Sequence, residues 1–208
     1  GGIDSLTRMT LQGFHSLGIL SSRPCRPFSA GRDGINIGEG AAFVLLEREA
    51  AEAPVHLLGV GESTDAYRMS SPEPSGRGAR ESMERAMAQA GLAPGDVDHI
   101  NAHGTATKLN DAAEARAIDA VFGDRVPVSS TKGYTGHQLG AAGGCEMVFA
   151  IHAVLSGRMP ATLNCDPIDP EVAVRVQREP REGSMRRVMS NSFAFGGSNV
   201  SVLVGRPS

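Results

Sequence analysis

Asp98-His99-Ile100-Asn101-Ala102-His103-Gly104-Thr105-Ala106-Thr107 is the stretch from which this chain is read. Residues 98–102 have the length and apolar centre of a buried strand. His103 follows directly, at the carboxyl end where an α/β sheet gathers its ligand-facing residues. Thr105 and Thr107 alternate, so an extended backbone turns both hydroxyls to one side. Outward from this point strands and helices take turns: strand 55–62, helix 76–90, strand 98–102, helix 112–122, strand 126–129, helix 139–156. That alternation predicts a mostly parallel sheet with helices packed on its faces.

The two best-defined helices carry different patterns. Ala79, Met83, Ala86, Met87 and Ala90 share one face at 3.6-residue spacing while Glu81, Glu84 and Arg85 occupy the other, so this helix is expected to be half exposed. Leu139, Ala142, Val148, Phe149, Ile151, Val154 and Leu155 instead surround their helix, which predicts a cylinder buried between layers and hence a sheet-helix-sheet sandwich. Residues 187–192 and 200–204 read as a closing hairpin around a Gly-rich loop. Before residue 54 the pattern is a helix over 6–20, a Pro/Ser/Arg-rich loop through Phe28, and two short strands within 33–46, followed by an acidic stretch over 47–52.

Composition closes off several classes. With 208 residues, 40% hydrophobic and 21% charged, the chain can bury a sizeable core. The net charge of −3 and the scattered basic residues indicate neither nucleic-acid nor membrane-surface binding. Cys25, Cys145 and Cys165 are odd in number and too widely spaced for a zinc ribbon or a redox pair, which suits free thiols in a reducing, cytoplasmic setting. No run of some 18 uninterrupted apolar residues stands out as a membrane span. The opening Gly-Gly-Ile-Asp-Ser lacks the features of a signal peptide and an initiator methionine, so the sequence is expected to start inside a longer reading frame.

Two further stretches join the first: Ser130-Thr131-Lys132-Gly133-Tyr134-Thr135-Gly136-His137, and Asn191-Ser192-Phe193-Ala194-Phe195-Gly196-Gly197-Ser198-Asn199. His137 precedes the apolar helix, whose positive amino end is expected to keep the ring neutral and able to donate an N–H. A single histidine of this kind commonly satisfies a backbone carbonyl. Two of them on strand-end loops with Gly and Thr neighbours point to chemistry, because paired N–H donors can stabilise an oxyanion as it forms. Gly196 and Gly197 are expected at positive φ, letting the backbone approach a substrate. Asp111 with Glu114 three residues on has the look of a helix cap. Glu146 sits near the start of the apolar helix, where a carboxylate suits the dipole. Cys145 lies within two turns of the same helix end, yet a small apolar thiol in a packed helix is its ordinary reading.

In this order the three stretches resemble the histidine, lysine-histidine and glycine-rich loops of the β-ketoacyl-acyl carrier protein synthases, and the resemblance extends over essentially the whole chain. It implies a thiolase-like α/β/α/β/α sandwich of which this chain holds mainly the second half: residues 1–53 as the end of the amino-terminal half, 54–208 as the carboxyl-terminal half. It also implies decarboxylative Claisen condensation. His103 and His137 would stabilise the enolate, Lys132 would order them, the Phe195 backbone N–H would join the oxyanion hole with its ring gating the pocket, and Thr105 and Thr107 would hold the phosphopantetheine arm beside Gly196 and Gly197. Glu146, Asp111 and Glu39 become structural supports. Ala194 stands where the family usually has glycine, which narrows backbone freedom and points to a branch acting on unusual, polyunsaturated chains.

The family's nucleophilic cysteine motif has no counterpart here, so the isolated chain is expected to be inactive and to need the missing amino-terminal half. The resemblance further implies acyl carrier protein as partner, a homodimer or heterodimer, no metal, and no cofactor beyond the carrier's own arm. A thiolase would carry a cysteine within 187–205, where there is none. A non-catalytic chain-length-factor-like subunit is the second reading, against which stands the joint presence of His103, Lys132 and His137.

Overall fold

The computed structural model describes residues 1–48 and 52–206; part of the acidic stretch 47–52 lies outside them. The elements in chain order are β1 (Gly2–Asp4), α1 (Arg8–Ser16), β2 (Gly40–Ala42), β3 (His56–Thr64), α2 (Arg77–Ala90), β4 (His99–Asn101), α3 (Lys108–Phe122), β5 (Val128–Ser129), α4 (Lys132–Thr135), α5 (Ala142–Ser156), β6 (Arg158–Met159), β7 (Arg181–Glu182), β8 (Arg187–Ala194) and β9 (Ser198–Gly205). Five strands form the main sheet in the order β3-β9-β8-β4-β5. Two small ribbons, β1-β2 and β6-β7, stand apart from it.

The sheet is mixed rather than mostly parallel. β4 runs parallel to β5 and β8, but β8-β9 is an antiparallel hairpin and β3 joins antiparallel to β9. Because a hairpin reverses direction, inserting one in the middle of the sheet turns half of it antiparallel. The βα alternation of residues 55–129 does not reveal this.

One face of the sheet packs on α2 and α3 around Met83, Ile100, Ile118, Phe122, Met189 and Leu203. Burying side chains of this size contributes roughly 1.5–3 kcal/mol each. Helix α2 buries Ala79, Met83, Ala86 and Met87 and leaves Glu84 and Arg85 in solvent, as its periodicity requires. The other face packs on α5 through Ala150, Ala153 and Val154 against Val188 and Val204.

The prediction of a wholly buried α5 is not met. Val148 is 41%, Phe149 36% and Leu155 47% exposed, on the side away from the sheet. The stretch 139–156 is long and apolar enough to cross a membrane by length and composition, yet one side of it packs on β8 and holds the buried Glu146. It begins with a short 3-10 turn over Leu139–Ala141. The helix expected over 6–20 stops at Ser16, since Gly18 takes φ 66°, and of the two strands expected within 33–46 only β2 forms. Residues 35 and 37 make single bridges instead, to Leu20 and His137.

Candidate active site

β4 delivers the histidine loop. Beyond Asn101 the chain turns, and the backbone N–H groups of His103 and Gly104 donate to the two carboxylate oxygens of Glu114, each at 2.8 Å. Gly104 has φ 39°, and a Cβ there would lie 2.5 Å from Ser130 Cβ, so a side chain does not fit. Ser130 Oγ donates to the Gly104 carbonyl at 2.8 Å.

Asp111 works the same way one step further out. Its carboxylate accepts the N–H of Phe28 at 2.8 Å and of Ala106 at 3.1 Å. Both residues hold left-handed conformations, φ 63° and 65°, which are costly for residues with a Cβ. The predicted cap at Asp111 and Glu114 is therefore corrected. Helix α3 begins four residues earlier, at Lys108, and Thr107 occupies the cap position without a side-chain cap bond. Both acids reach back from α3 to hold loops that would otherwise strand buried N–H groups. Burial pushes the Glu114 carboxyl up to about 7, against the pull of its two N–H donors. Buried Arg32 adds a third tie, donating to the carbonyls of Thr107 and Lys108 and pairing with Asp169.

Thr105 and Thr107 have their hydroxyl oxygens 3.0 Å apart and line the same cavity. That cavity, of about 840 Å³, is also lined by His103, His137, Phe14 and Phe195. Lys132 is 1% exposed; its Nζ pairs with Glu146 and lies 3.4 Å from His103 Nδ1. Burial raises the Glu146 carboxyl, opposed by Lys132.

The two imidazoles meet edge to face, ring centres 5.1 Å apart. Leu139 N–H donates to His137 Nδ1 at 3.2 Å, so the His137 proton sits on Nε2. Lys132 can only donate, so His103 Nδ1 is likewise an acceptor and its proton also sits on Nε2. Neither Nε2 has a hydrogen-bond partner among the described residues. Burial, then the Lys132 charge, drives His137 down to about 3. His103 falls well below its ordinary value through burial, then Lys132, then His137. Both rings are neutral, as expected, but burial rather than the helix end is the main cause.

The Gly-rich loop is the β8-β9 turn. Gly196 and Gly197 take φ 86° and 81°, and Phe195, half exposed, stacks on Phe14 with centroids 6.1 Å apart. Ala194 is the last residue of β8, paired with Ser198 in extended backbone, where a Cβ is harmless. The positive-φ positions of the turn are the two glycines, and Ala194 lies outside them. Asp65, which the sequence did not single out, fastens the turn. Its N–H donates to the Gly197 carbonyl at 2.8 Å, Asn199 Nδ2 donates to its Oδ1 at 2.8 Å, and Gly196 N–H donates to the Met69 carbonyl at 2.7 Å. Asp65 and Asn199 are 134 residues apart, and no local pattern links them.

No cysteine lines the cavity among the described residues. The buried Cys25 thiol is pushed up to about 11, chiefly by burial and then by the charge of Asp111, and Cys165 is buried too. Half-buried Cys145 lies outside the cavity lining. Glu39 is a surface residue whose Oε2 accepts the Leu6 N–H at 3.1 Å and whose carbonyl accepts Gln138 Nε2 at 2.9 Å.

Residues 55–166 match the family described as Beta-ketoacyl synthase, C-terminal domain, and residues 1–52 match Beta-ketoacyl synthase, N-terminal domain. The chain is 38% identical over 222 aligned positions to the 3-oxoacyl-[acyl-carrier-protein] synthase 2 of Mycobacterium bovis, covering 99% of this chain and 53% of that protein. Among solved structures it superposes with TM-score 0.92 and 42% identity on a ketosynthase in complex with its chain length factor from Xenorhabdus doucetiae, covering all of this chain and 52% of the other. A type II polyketide synthase acyl-carrier protein in complex with its ketosynthase bound to the hexaketide gives TM-score 0.91 at 25% identity, covering all of this chain and 55% of the other. This chain belongs to the β-ketoacyl synthase family and has its thiolase-like fold. It spans about half the length of the curated relatives it matches.

Proposed function

We propose that the chain supplies the decarboxylation half of a 3-oxoacyl-[acyl carrier protein] synthase active site and does no condensation alone. The observation that carries this reading is the pair of neutral histidines, each with Nδ1 engaged and an Nε2–H free on one cavity wall. When a malonyl thioester binds there, its C–CO₂ bond breaks, carbon dioxide leaves, and the electron pair passes to the thioester oxygen as an enolate. His103 and His137 donate to that oxygen. One such donor is worth about 2.7–4 kcal/mol of barrier. The enolate carbon then attacks an acyl thioester on a cysteine contributed from outside this chain; the tetrahedral oxyanion accepts from the Phe195 N–H, and collapse expels the thiolate.

Lys132 and Glu146 hold His103 in its tautomer without touching substrate. Thr105 and Thr107 offer hydroxyls to the amides of the phosphopantetheine arm, so acyl carrier protein is the proposed partner, in a fatty acid or polyketide pathway. The working enzyme is read as a cytoplasmic homodimer or heterodimer with no metal and no cofactor beyond that arm. A chain-length-factor-like subunit is disfavoured because such a subunit has no use for this His-Lys-His arrangement.

The test mixes the chain with the unmatched portion of the Mycobacterium bovis relative and treats the mixture with cerulenin, which modifies ketosynthase nucleophiles. Label on the added portion alone, located by mass spectrometry, is expected. Stoichiometric label on Cys25, Cys145 or Cys165 would overturn the assignment.

A further inference from the structure

A second cavity adjoins the first beside the loop that carries Thr105 and Thr107. It has a volume of about 490 Å³ and shares Ser71, Pro72, Lys108 and Leu109 with the larger one, so the two meet at these residues. A molecule extended along Thr105 and Thr107 leaves the larger cavity past Lys108, the next residue in the chain. None of the residues proposed for the condensation lines the second cavity.

Its lining carries more positive than negative charge: Arg32, Arg68, Lys108 and Arg116 stand against Asp169 and Glu171. Both carboxylates already face a cation. Asp169 pairs with buried Arg32, and Glu171 lies 3.9 Å from Arg116, which also donates to the Pro74 carbonyl at 2.9 Å. Arg32 directs its remaining donors to the carbonyls of Ser29, Thr107 and Lys108, which makes it part of the wall. Arg68 and Lys108 pair with no carboxylate among the described residues. Tyr67 is the aromatic residue of the lining, and the Arg68 guanidinium lies 5.3 Å from its ring centroid, a cation–π contact that keeps both side chains at the rim.

We infer that this second cavity is a nucleotide subsite: it takes the adenosine 3′,5′-bisphosphate end of coenzyme A while the pantetheine arm runs past Lys108 into the larger cavity, so that the chain admits coenzyme A thioesters beside carrier-bound ones. Arg and Lys side chains without carboxylate partners suit phosphate esters, and an aromatic ring suits the stacking of a base. Size decides between the two carriers of a pantetheine arm. The phosphodiester through which a carrier protein holds its arm fills the space of a single phosphate, whereas 490 Å³ lies within the roughly 300–1,000 Å³ of cavities that enclose a whole small molecule. The inference rests on the proposed function, which puts the arm in the larger cavity, and adds a substrate class to it.

The test is titration calorimetry of the full chain with adenosine 3′,5′-bisphosphate, which has no pantetheine arm, and then with coenzyme A. One bisphosphate per chain is expected, bound more weakly as salt is raised, with coenzyme A binding tighter and displacing it. Lys108→Ala and Arg68→Ala should each weaken the bisphosphate at least about fivefold. Glu171→Gln, which removes a negative charge from the lining, should tighten it. All three positions are exposed, and an unchanged circular dichroism spectrum verifies that the variants remain folded. Four results overturn the inference: no heat at millimolar bisphosphate, binding indifferent to both cation variants, inorganic pyrophosphate bound as tightly as the bisphosphate, or 4′-phosphopantetheine bound as tightly as coenzyme A, which would assign the cavity to the carrier's phosphodiester. Bisphosphate binding that responds to the variants, in a chain whose mixture with the added portion releases no carbon dioxide, upholds the subsite and counts only against the proposed function.

Discussion

Replacing Gly104 by alanine tests whether the histidine loop is built as described. The residue sits at φ 39°, and an added Cβ would lie 2.5 Å from Ser130 Cβ and 2.7 Å from Ser130 Oγ. Positive φ costs a residue with a Cβ about 1–2 kcal/mol. Relieving the contact in a packed interior costs about 1–3 kcal/mol. Against these stands a gain of about 0.4–1 kcal/mol from the stiffer unfolded chain. The net expectation is about 1–4.6 kcal/mol of destabilisation, read as a lower urea midpoint at unchanged slope. Ser130→Gly removes the offending Cβ but also the 2.8 Å bond to the Gly104 carbonyl. The double variant should therefore recover part of the loss, never all of it, because the backbone strain stays. Gly104→Ala within about 0.5 kcal/mol of the parent, inside the range of an unconstrained surface change, would refute the loop geometry. Full rescue by Ser130→Gly would refute the strain.

Acid should unfold the chain more steeply than its carboxylates alone require. His99 and His137 titrate at about 6.5 when unfolded but only near 3 when folded, so between those values the unfolded chain binds more protons. Stability is then fully present above pH 6.5 and is lost as pH falls toward 3. His137→Gln should flatten the urea midpoint measured from pH 7 to pH 5, and an unchanged slope would contradict the buried neutral ring. Asn199→Ala should cost about 1.5–3 kcal/mol by leaving the buried Asp65 oxygen unpaired, with faster amide exchange at Gly196; unaltered protection there would mean Asp65 does not fasten the turn. Cys25 should resist iodoacetamide at pH 8, since a thiol at about 11 is only ~0.1% thiolate. Rapid alkylation of the folded chain would show that its burial is misread.

What the sequence made legible was local. The strand before His103 and the faces of α2 follow from two periodicities, whereas the tautomers of the histidine pair come only from the placement of Lys132 and Leu139 in the structure. The Gly196-Gly197 turn was readable because only glycine suits its backbone. What stayed hidden depends on contacts across the chain. Asp111 and Glu114 have the spacing of a cap, and only the return of residues 26–28 and 103–106 toward α3 shows them gripping loops instead. The mixed sheet arises because the β8-β9 hairpin inserts between β3 and β4, a matter of strand order that hydrophobic pattern does not encode. The exposed side of α5 was read as buried, since an all-round apolar pattern does not say which side of the helix packs on the sheet.

The proposed stabilisation of a decarboxylation enolate by two Nε2–H donors is tested most directly by carbon dioxide release from malonyl-acyl carrier protein in the assembled complex, comparing His103→Ala and His137→Ala with the parent. Each variant should fall by about 10²–10³ in rate, with the complex still formed and the added cysteine still labelled. Release that stays within about threefold of the parent for both variants, less than about 0.7 kcal/mol of barrier, would contradict the assignment of the histidine pair.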